Sequence, residues 1–364
     1  MAEHVLYAAS APFESARRLP DAAPGGAGAA RAAGLHGHSF LATVRAPAPI
    51  AGAAPWAPFP GGEVDALRER LQACVAPLDY QLLNEHVETP GDENLARWVA
   101  ARLALEGEVQ VGVQSTRCQG AEVDGQRVAR VWRRYQFEAA HCLPRVAAGH
   151  KCGRMHGHGF AVLLHASAAT PQLLDRTWAP LQSQLHHACL NEIPGLENPT
   201  SEIIASWIWA RLRPLVPQLS WVTVCETATC GAHFDGARYR IWKDLGFDSA
   251  VRLALAPEGD PRRQLHGHSY RLRLVLSASL DTMLGWTIDF GDVKDIFAPV
   301  FARLDHHPLH ELPGVAQSGA LGIVRWARDQ AVAALPQLDR IELYETPGCG
   351  VILNWGAQHP ALPA

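Results

Sequence analysis

The tripeptide His-Gly-His occurs three times, at His36–His38, His156–His158 and His266–His268, and this recurrence constrains the fold more than any other feature. From one first histidine to the next is 120 residues and then 110. Other landmarks keep step. FESARRL, FEAAHCL and FDSAVRL precede the three tripeptides, beginning at Phe13, Phe137 and Phe247. LDYQLLNE, LHHACLNE and LDHHPLHE follow from Leu78, Leu185 and Leu304, and tryptophans follow these at Trp98, Trp207 and Trp326. A period this long exceeds the 20–50 residues of solenoid repeats, so each copy is expected to be a small domain. The expected units are 1–125, 126–237 and 238–364.

Within a unit, the segments HGHSFLATVRA, HGHGFAVLLHA and HGHSYRLRLVLSA alternate or run apolar and read as strands. The FEAAH-type segments read as the preceding strand of a hairpin. EVDALRERLQACVAPL and NLARWVAARLAL carry helical periodicity. PTSEIIASWIWARL opens with Thr200 as an N-cap and Glu202 in the first turn. The unit is therefore β-β-α-α-β-β, an α+β arrangement. The Pro/Gly/Ala-rich stretches 20–34 and 46–62 read as loops.

Composition narrows the function. The 364 residues are 48% hydrophobic and 19% charged, enough apolar material for a sizeable core. The net charge of −4 does not indicate a nucleic-acid partner, although a local basic pocket for one phosphorylated ligand is compatible with it. No apolar run approaches the ~18 residues of a membrane span, and the first residues lack the pattern of a secretory signal. Eight dispersed cysteines fit a reducing, cytoplasmic setting.

The middle unit alone concentrates chemistry, in FEAAHCLPRVAAGHKCGRMHGH (137–158). On a strand, His156 and His158 point to one face, and an antiparallel neighbour carrying His141 could bring a third imidazole to the same point. Three neutral imidazoles with an open fourth position form a catalytic zinc arrangement. Cys152, beside such a dication, would ionise more easily. Two other readings stay open: histidines satisfied within the structure, and a structural zinc held by Cys142, Cys152, His156 and His158. The second lacks the paired Cys-x-x-Cys spacing usual for such sites.

FEAAH, a His-Lys-Cys, Cys-x3-His-Gly-His, LNE…PTSE and a late Glu-Thr together resemble the 6-pyruvoyltetrahydropterin / 6-carboxytetrahydropterin synthase family, across the whole middle unit and in degraded form in the outer two. The resemblance implies three fused T-fold units closing a pseudo-trimeric, twelve-stranded antiparallel barrel with helices outside. It implies His141, His156 and His158 as Zn2+ ligands and Cys152 as the catalytic cysteine. The Cys-x3-His-Gly-His spacing is similar to that of 6-carboxytetrahydropterin synthases of queuosine synthesis, which implies a lyase converting 7,8-dihydroneopterin triphosphate to 6-carboxytetrahydropterin, acetaldehyde and triphosphate. Pyruvoyl-type elimination and a catalytically impaired pterin-binding scaffold are the alternatives. A homodimer formed by stacking two barrels is compatible with the family pattern.

The family's Asp-His pair is intact only in unit three, as Asp305 and His306; unit one has Asp79-Tyr80 and unit two His186-His187. A composite site is therefore expected between units two and three, with His306 beside Cys152. The carboxylate that grips the pterin edge corresponds to Glu226 or Glu345, with Ser115 in unit one. The position of His141 is Arg17 in unit one and Val251 in unit three, so His36, His38, His266 and His268 are read as relics rather than ligands.

Overall fold

The computed structural model describes residues 3–19, 34–48, 57–277 and 288–356. Most of the two expected loops, 20–33 and 49–56, lies outside the described residues; Ala46 and Pro47 belong to a strand. The first unit contributes strands β1 (His4–Arg17) and β2 (His36–Pro47), helices α1 (Glu63–Val75) and α2 (Asp92–Leu103), and strands β3 (Gln110–Thr116) and β4 (Gln119–Val123). The second contributes β5 (Ala129–His141), β6 (His156–Ser167), α3 (Pro171–Leu185), α4 (Ser201–Leu212), β7 (Leu219–Thr227) and β8 (Cys230–Phe234). The third contributes β9 (Tyr239–Val251), β10 (His266–Ser277), α5 (Phe290–Leu304), a single turn α6 (Val315–Ser318), α7 (Ala320–Ala331), β11 (Leu338–Thr346) and β12 (Cys349–Asn354).

The twelve long strands form one closed antiparallel barrel. Each hairpin pairs its own strands: Phe13 faces Phe40, Phe137 faces Phe160 and Phe247 faces Tyr270. Neighbouring units join edge to edge, with Gln119 opposite Arg133 and Cys230 opposite Lys243. The last seam pairs β12 with β1 from Ala8–Gly350 to His4–Asn354, which closes the barrel and leaves no long edge strand unpaired among the described residues.

Strand alternation sorts the side chains. Outward residues such as Phe137, Phe160, Val162 and Leu164 pack beneath Leu174, Trp178 and Ile208 of the covering helices. Many inward residues are polar or indole-bearing, among them Trp132, His165, Trp221, Arg240, Arg273 and Glu342, beside aliphatic ones such as Val275 and Ile352. This lumen is held by ion pairs. Arg273 makes a bidentate pair with Asp244 at 2.7 and 2.9 Å and approaches Glu342 at 3.9 Å. Burial alone would raise the Glu342 carboxyl, but Arg340, Arg273 and Arg45 outweigh it and hold it at about 2. Removing one member leaves a buried charge uncompensated. Arg273→Met is therefore expected to cost about 3–5 kcal/mol, read as a fall in the denaturant midpoint; an unchanged midpoint would refute this account of the lumen.

Candidate active site

The β5–β6 register places His141 directly opposite His156, and Ala139 opposite His158. All three imidazoles therefore emerge on the outward face at the loop end of the hairpin, beside the 142–155 connection. Ring centroids are 4.5 Å apart for His141–His156, 5.2 Å for His141–His158 and 5.0 Å for His156–His158. His141 Nδ1 lies 3.1 Å from the Pro199 carbonyl and His156 Nδ1 lies 2.7 Å from the Arg154 carbonyl. A carbonyl can only accept, so each Nδ1 carries the proton and each Nε2 presents a lone pair. The Nε2 atoms of His141 and His158 are buried without a hydrogen-bond partner. Burial, then the neighbouring His156, lowers His141 to about 4; burial likewise lowers His158, against the pull of Glu226. All of this fits a metal. The buried His141 Nε2 lone pair meets no donor and suits a Lewis acid, and an imidazole kept from protonating by burial is a ready ligand.

Glu226, near the end of β7, completes the group. Its Oε1 lies 3.4 Å from His158 Nε2 and 3.8 Å from His141 Nε2, and its Oε2 accepts from the Ser201 hydroxyl at 2.9 Å. One ligand atom from each of His141, His156, His158 and Glu226 falls within 4.8 Å of all the others. Thr200, the N-cap of α4, accepts from Ile203 N–H at 3.3 Å and fixes the helix start that carries Ser201.

His156, His158, Ser201 and Glu226 open onto a cavity of about 840 Å³. Unit two lines it with Cys152, His156, His158 and Glu226, and unit three with Lys243, Asp289, Phe290 and Lys294. Lys151 and Arg154 add two further cations. Cys152 is half-buried. Burial pushes its thiol up, Asp289 and Glu226 add to this, and Lys151 opposes. The acidified thiol expected from sequence thus depends wholly on a bound cation.

Units two and three do meet at this cavity, but not through the expected pair. Asp305 and His306 do not line it. They follow the C-terminal end of α5, whose N-terminal residues do line it, and a 15-residue helix spans about 22 Å. The His306 side chain is 76% exposed, with Nδ1 2.8 Å from Asp305 Oδ1. The expectation of His306 beside Cys152 within one chain is corrected accordingly. Asp305 has a structural task instead: its carboxylate accepts the Asp248 backbone N–H at 3.2 Å. Asp79 accepts from Glu14 N–H and His186 Nδ1 from Glu138 N–H in the same way. The next residues, Tyr80, His187 and His306, all adopt left-handed backbone, with φ of 54°, 60° and 56°.

Arginines stand at matching places in the other two units. In the first, the buried Arg17 guanidinium bonds Asp92 at 2.7 Å and the Pro90 carbonyl at 2.9 Å and lies 3.4 Å from His38 Nε2. Ser115, at the Glu226 position, donates to the same Asp92 at 2.7 Å. In the third, Arg262 stands at the Cys152 position, bonds Asp65 of unit one at 2.8 Å and stacks over Phe59. Glu345 lies at that seam and not in the cavity; burial and Asp65 raise its carboxyl to about 7 against Arg68 and Arg262. Sequence reasoning missed both the seating of Glu226 within the histidine group and the place of Asp289.

The family model described as 6-pyruvoyl tetrahydropterin synthase matches residues 8–126, 130–237 and 240–355, and the chain belongs to that family. It is a lyase-type enzyme of pterin chemistry. Over 123 residues it is 37% identical to the 6-carboxy-5,6,7,8-tetrahydropterin synthase of Synechocystis sp. (strain ATCC 27184 / PCC 6803 / Kazusa), covering 30% of this chain and 94% of that protein. Over 119 residues it is 27% identical to the dihydroneopterin monophosphate aldolase of Pyrococcus furiosus, covering 32% of this chain and 97% of that protein. The Caenorhabditis elegans 6-pyruvoyl tetrahydropterin synthase structure aligns with 32% of this chain and 95% of its own, at 18% identity and a TM-score of 0.28.

Proposed function

We propose that the chain is a zinc-dependent lyase that converts 7,8-dihydroneopterin triphosphate and one water to 6-carboxytetrahydropterin, acetaldehyde and triphosphate, with one active site between units two and three. The observation that carries this reading is the clustering of three imidazoles, two of them lining a cavity that also presents Cys152 and four cationic side chains. Identity to the Synechocystis synthase and the Cys-x3-His-Gly-His spacing support the carboxy route.

His141, His156 and His158 would hold the metal, which when bound supplies a Lewis acid for the side-chain hydroxyls of the substrate. Cys152 exchanges a proton with the carbon skeleton held above it. Lys151, Arg154, Lys243 and Lys294 offset the negative charge of the phosphates. Glu226 accepts N–H groups of the pterin edge, with Ser201 fixing its orientation. Glu345 has no part at this cavity. The deciding experiment incubates zinc-loaded protein with 7,8-dihydroneopterin triphosphate and identifies products by mass spectrometry. Acetaldehyde release marks the carboxy route, whereas retention of the side-chain carbons after triphosphate loss marks the pyruvoyl route. Tight binding of unchanged substrate would overturn the enzyme reading in favour of a pterin-binding scaffold.

Glu226 also separates gripping from ligation. Glu226→Gln is expected to keep the metal and raise KM at least about tenfold, the value of a lost charged hydrogen bond. Loss of metal in this variant would make Glu226 a fourth ligand and close the site to substrate.

We also infer a cytoplasmic setting, in keeping with eight unpaired cysteines, and a homodimer of stacked barrels. No helix among the described residues is long and apolar enough to cross a membrane. Leu35, Met155 and Leu265, each immediately before a His-Gly-His, are exposed by 57%, 58% and 62% and form a threefold-repeated apolar set. Serine at all three should halve the mass measured by analytical ultracentrifugation; an unchanged mass would refute this interface.

A further inference from the structure

We propose that His150 of unit two and Asp289 of unit three form an inter-unit latch that positions Cys152 over the cavity. His150 opens the short turn Lys151–Gly153, and its Nδ1 accepts the backbone N–H of Cys152 at 3.2 Å. With Nδ1 accepting, the neutral ring carries its proton on Nε2. That nitrogen faces Asp289 Oδ2 at 3.7 Å. The other Asp289 oxygen is committed to its own unit: Oδ1 caps α5 by accepting Gly291 N–H at 2.6 Å. One carboxylate thus ties the start of a unit-three helix to the ring that holds the cysteine turn of unit two.

The contact is partly sheltered, with His150 30% and Asp289 19% exposed, so its electrostatic attraction is less screened than that of a surface pair. It is also specific to this seam. In unit three the residues matching His150 and Cys152 are Asp260 and Arg262, and there Arg262 itself reaches across to Asp65 of unit one. Both seams are therefore bridged from the same turn, one by a plug and the other by a latch that leaves the thiol facing an open cavity. Asp289 lines that cavity and His150 does not, so His150 acts through Cys152 as a positioning residue.

The test uses His150→Asn and Asp289→Asn, each chosen to keep a capping oxygen in place while removing the inter-unit pair. Iodoacetamide alkylation of Cys152, followed by peptide mass spectrometry on zinc-loaded full-length protein, needs no substrate. Both variants should alkylate Cys152 severalfold faster than wild type, with unchanged zinc content and unchanged melting temperature. The double variant should be no faster than Asp289→Asn, whose lost charge also favours the thiolate, because the inter-unit contact is already gone in that single variant. Wild-type alkylation in both single variants, or additive effects in the double, would overturn the latch. Turnover forms a second arm that rests on the proposed lyase reading: kcat should fall about tenfold or more with KM little changed. If wild-type protein shows no turnover while the alkylation shift holds, the lyase reading fails and the latch stands.

Discussion

His141→Ala should leave the protein without bound metal and without activity, the largest single effect expected of any histidine in the chain. His141 is 1% exposed, its Nδ1 is fixed by the Pro199 carbonyl, and its Nε2 has no hydrogen-bond partner among the described atoms. His156, His158 and the Glu226 carboxylate, whose Oε2 is engaged by Ser201, would remain, but the site would lose its one fully buried, carbonyl-oriented imidazole. The outer units supply the internal control. Each retains two histidines on the same strand, yet Arg17 fills the third place in unit one and Val251 in unit three. In unit one the guanidinium brings its own positive charge to the seat and pairs it with Asp92. Wild-type protein should therefore hold one zinc per chain by elemental analysis. His38→Ala and His268→Ala should leave that number unchanged, and His141→Ala should bring it to zero. A stoichiometry near three, or metal retained by His141→Ala, would defeat the single-centre account.

The architecture was legible because it is written three times. Alternation on the His-Gly-His strands, helical periodicity between them and the common order of landmarks all agree, and such agreement across levels is what specifies one fold. Thr200 at the start of α4 shows this locally, as an N-cap readable from four residues and found in that role. The histidine triad was legible for a similar reason, since strand period and hairpin pairing are local rules. What could not be read is how units meet. The seam depends on strand stagger around a closed barrel, and no local pattern reports that stagger. The Asp305–His306 pair was placed at the cavity because unit three alone keeps both residues of the family's Asp-His pair, whereas closure delivers the opposite end of α5. The acidic residue that arrives is Asp289, beside residues 278–287, which lie outside the described set. The Gly-His-Lys-Cys run carried a hint of His150, because a histidine two residues before a cysteine can cap the turn between them. Its partner comes from 139 positions away, beyond any sequence-local rule.

Cys152→Ala should separate chemistry from metal binding more sharply than any other change. The side chain lines the cavity but belongs to no group of clustered metal-ligating atoms among the described residues, so zinc content should stay at one per chain. Turnover should fall by about 10²–10⁴, the range for losing a positioned acid–base group. The thiol's surroundings give the prediction a second arm. Without a cation, burial together with the carboxylates of Asp289 and Glu226 holds the thiol up, so the metal-free protein should alkylate slowly at Cys152. The exposed Cys118 should react faster in that state. A dication at the three imidazoles offsets Glu226 and reverses the balance of charge, favouring the thiolate. Zinc loading should therefore accelerate iodoacetamide alkylation of Cys152 while leaving Cys118 unchanged. Alanine turning over at the wild-type rate would remove the cysteine from the mechanism. Alkylation indifferent to zinc would mean that the metal does not activate the thiol, and the proton exchanged in the reaction would then have to come from another group lining the cavity.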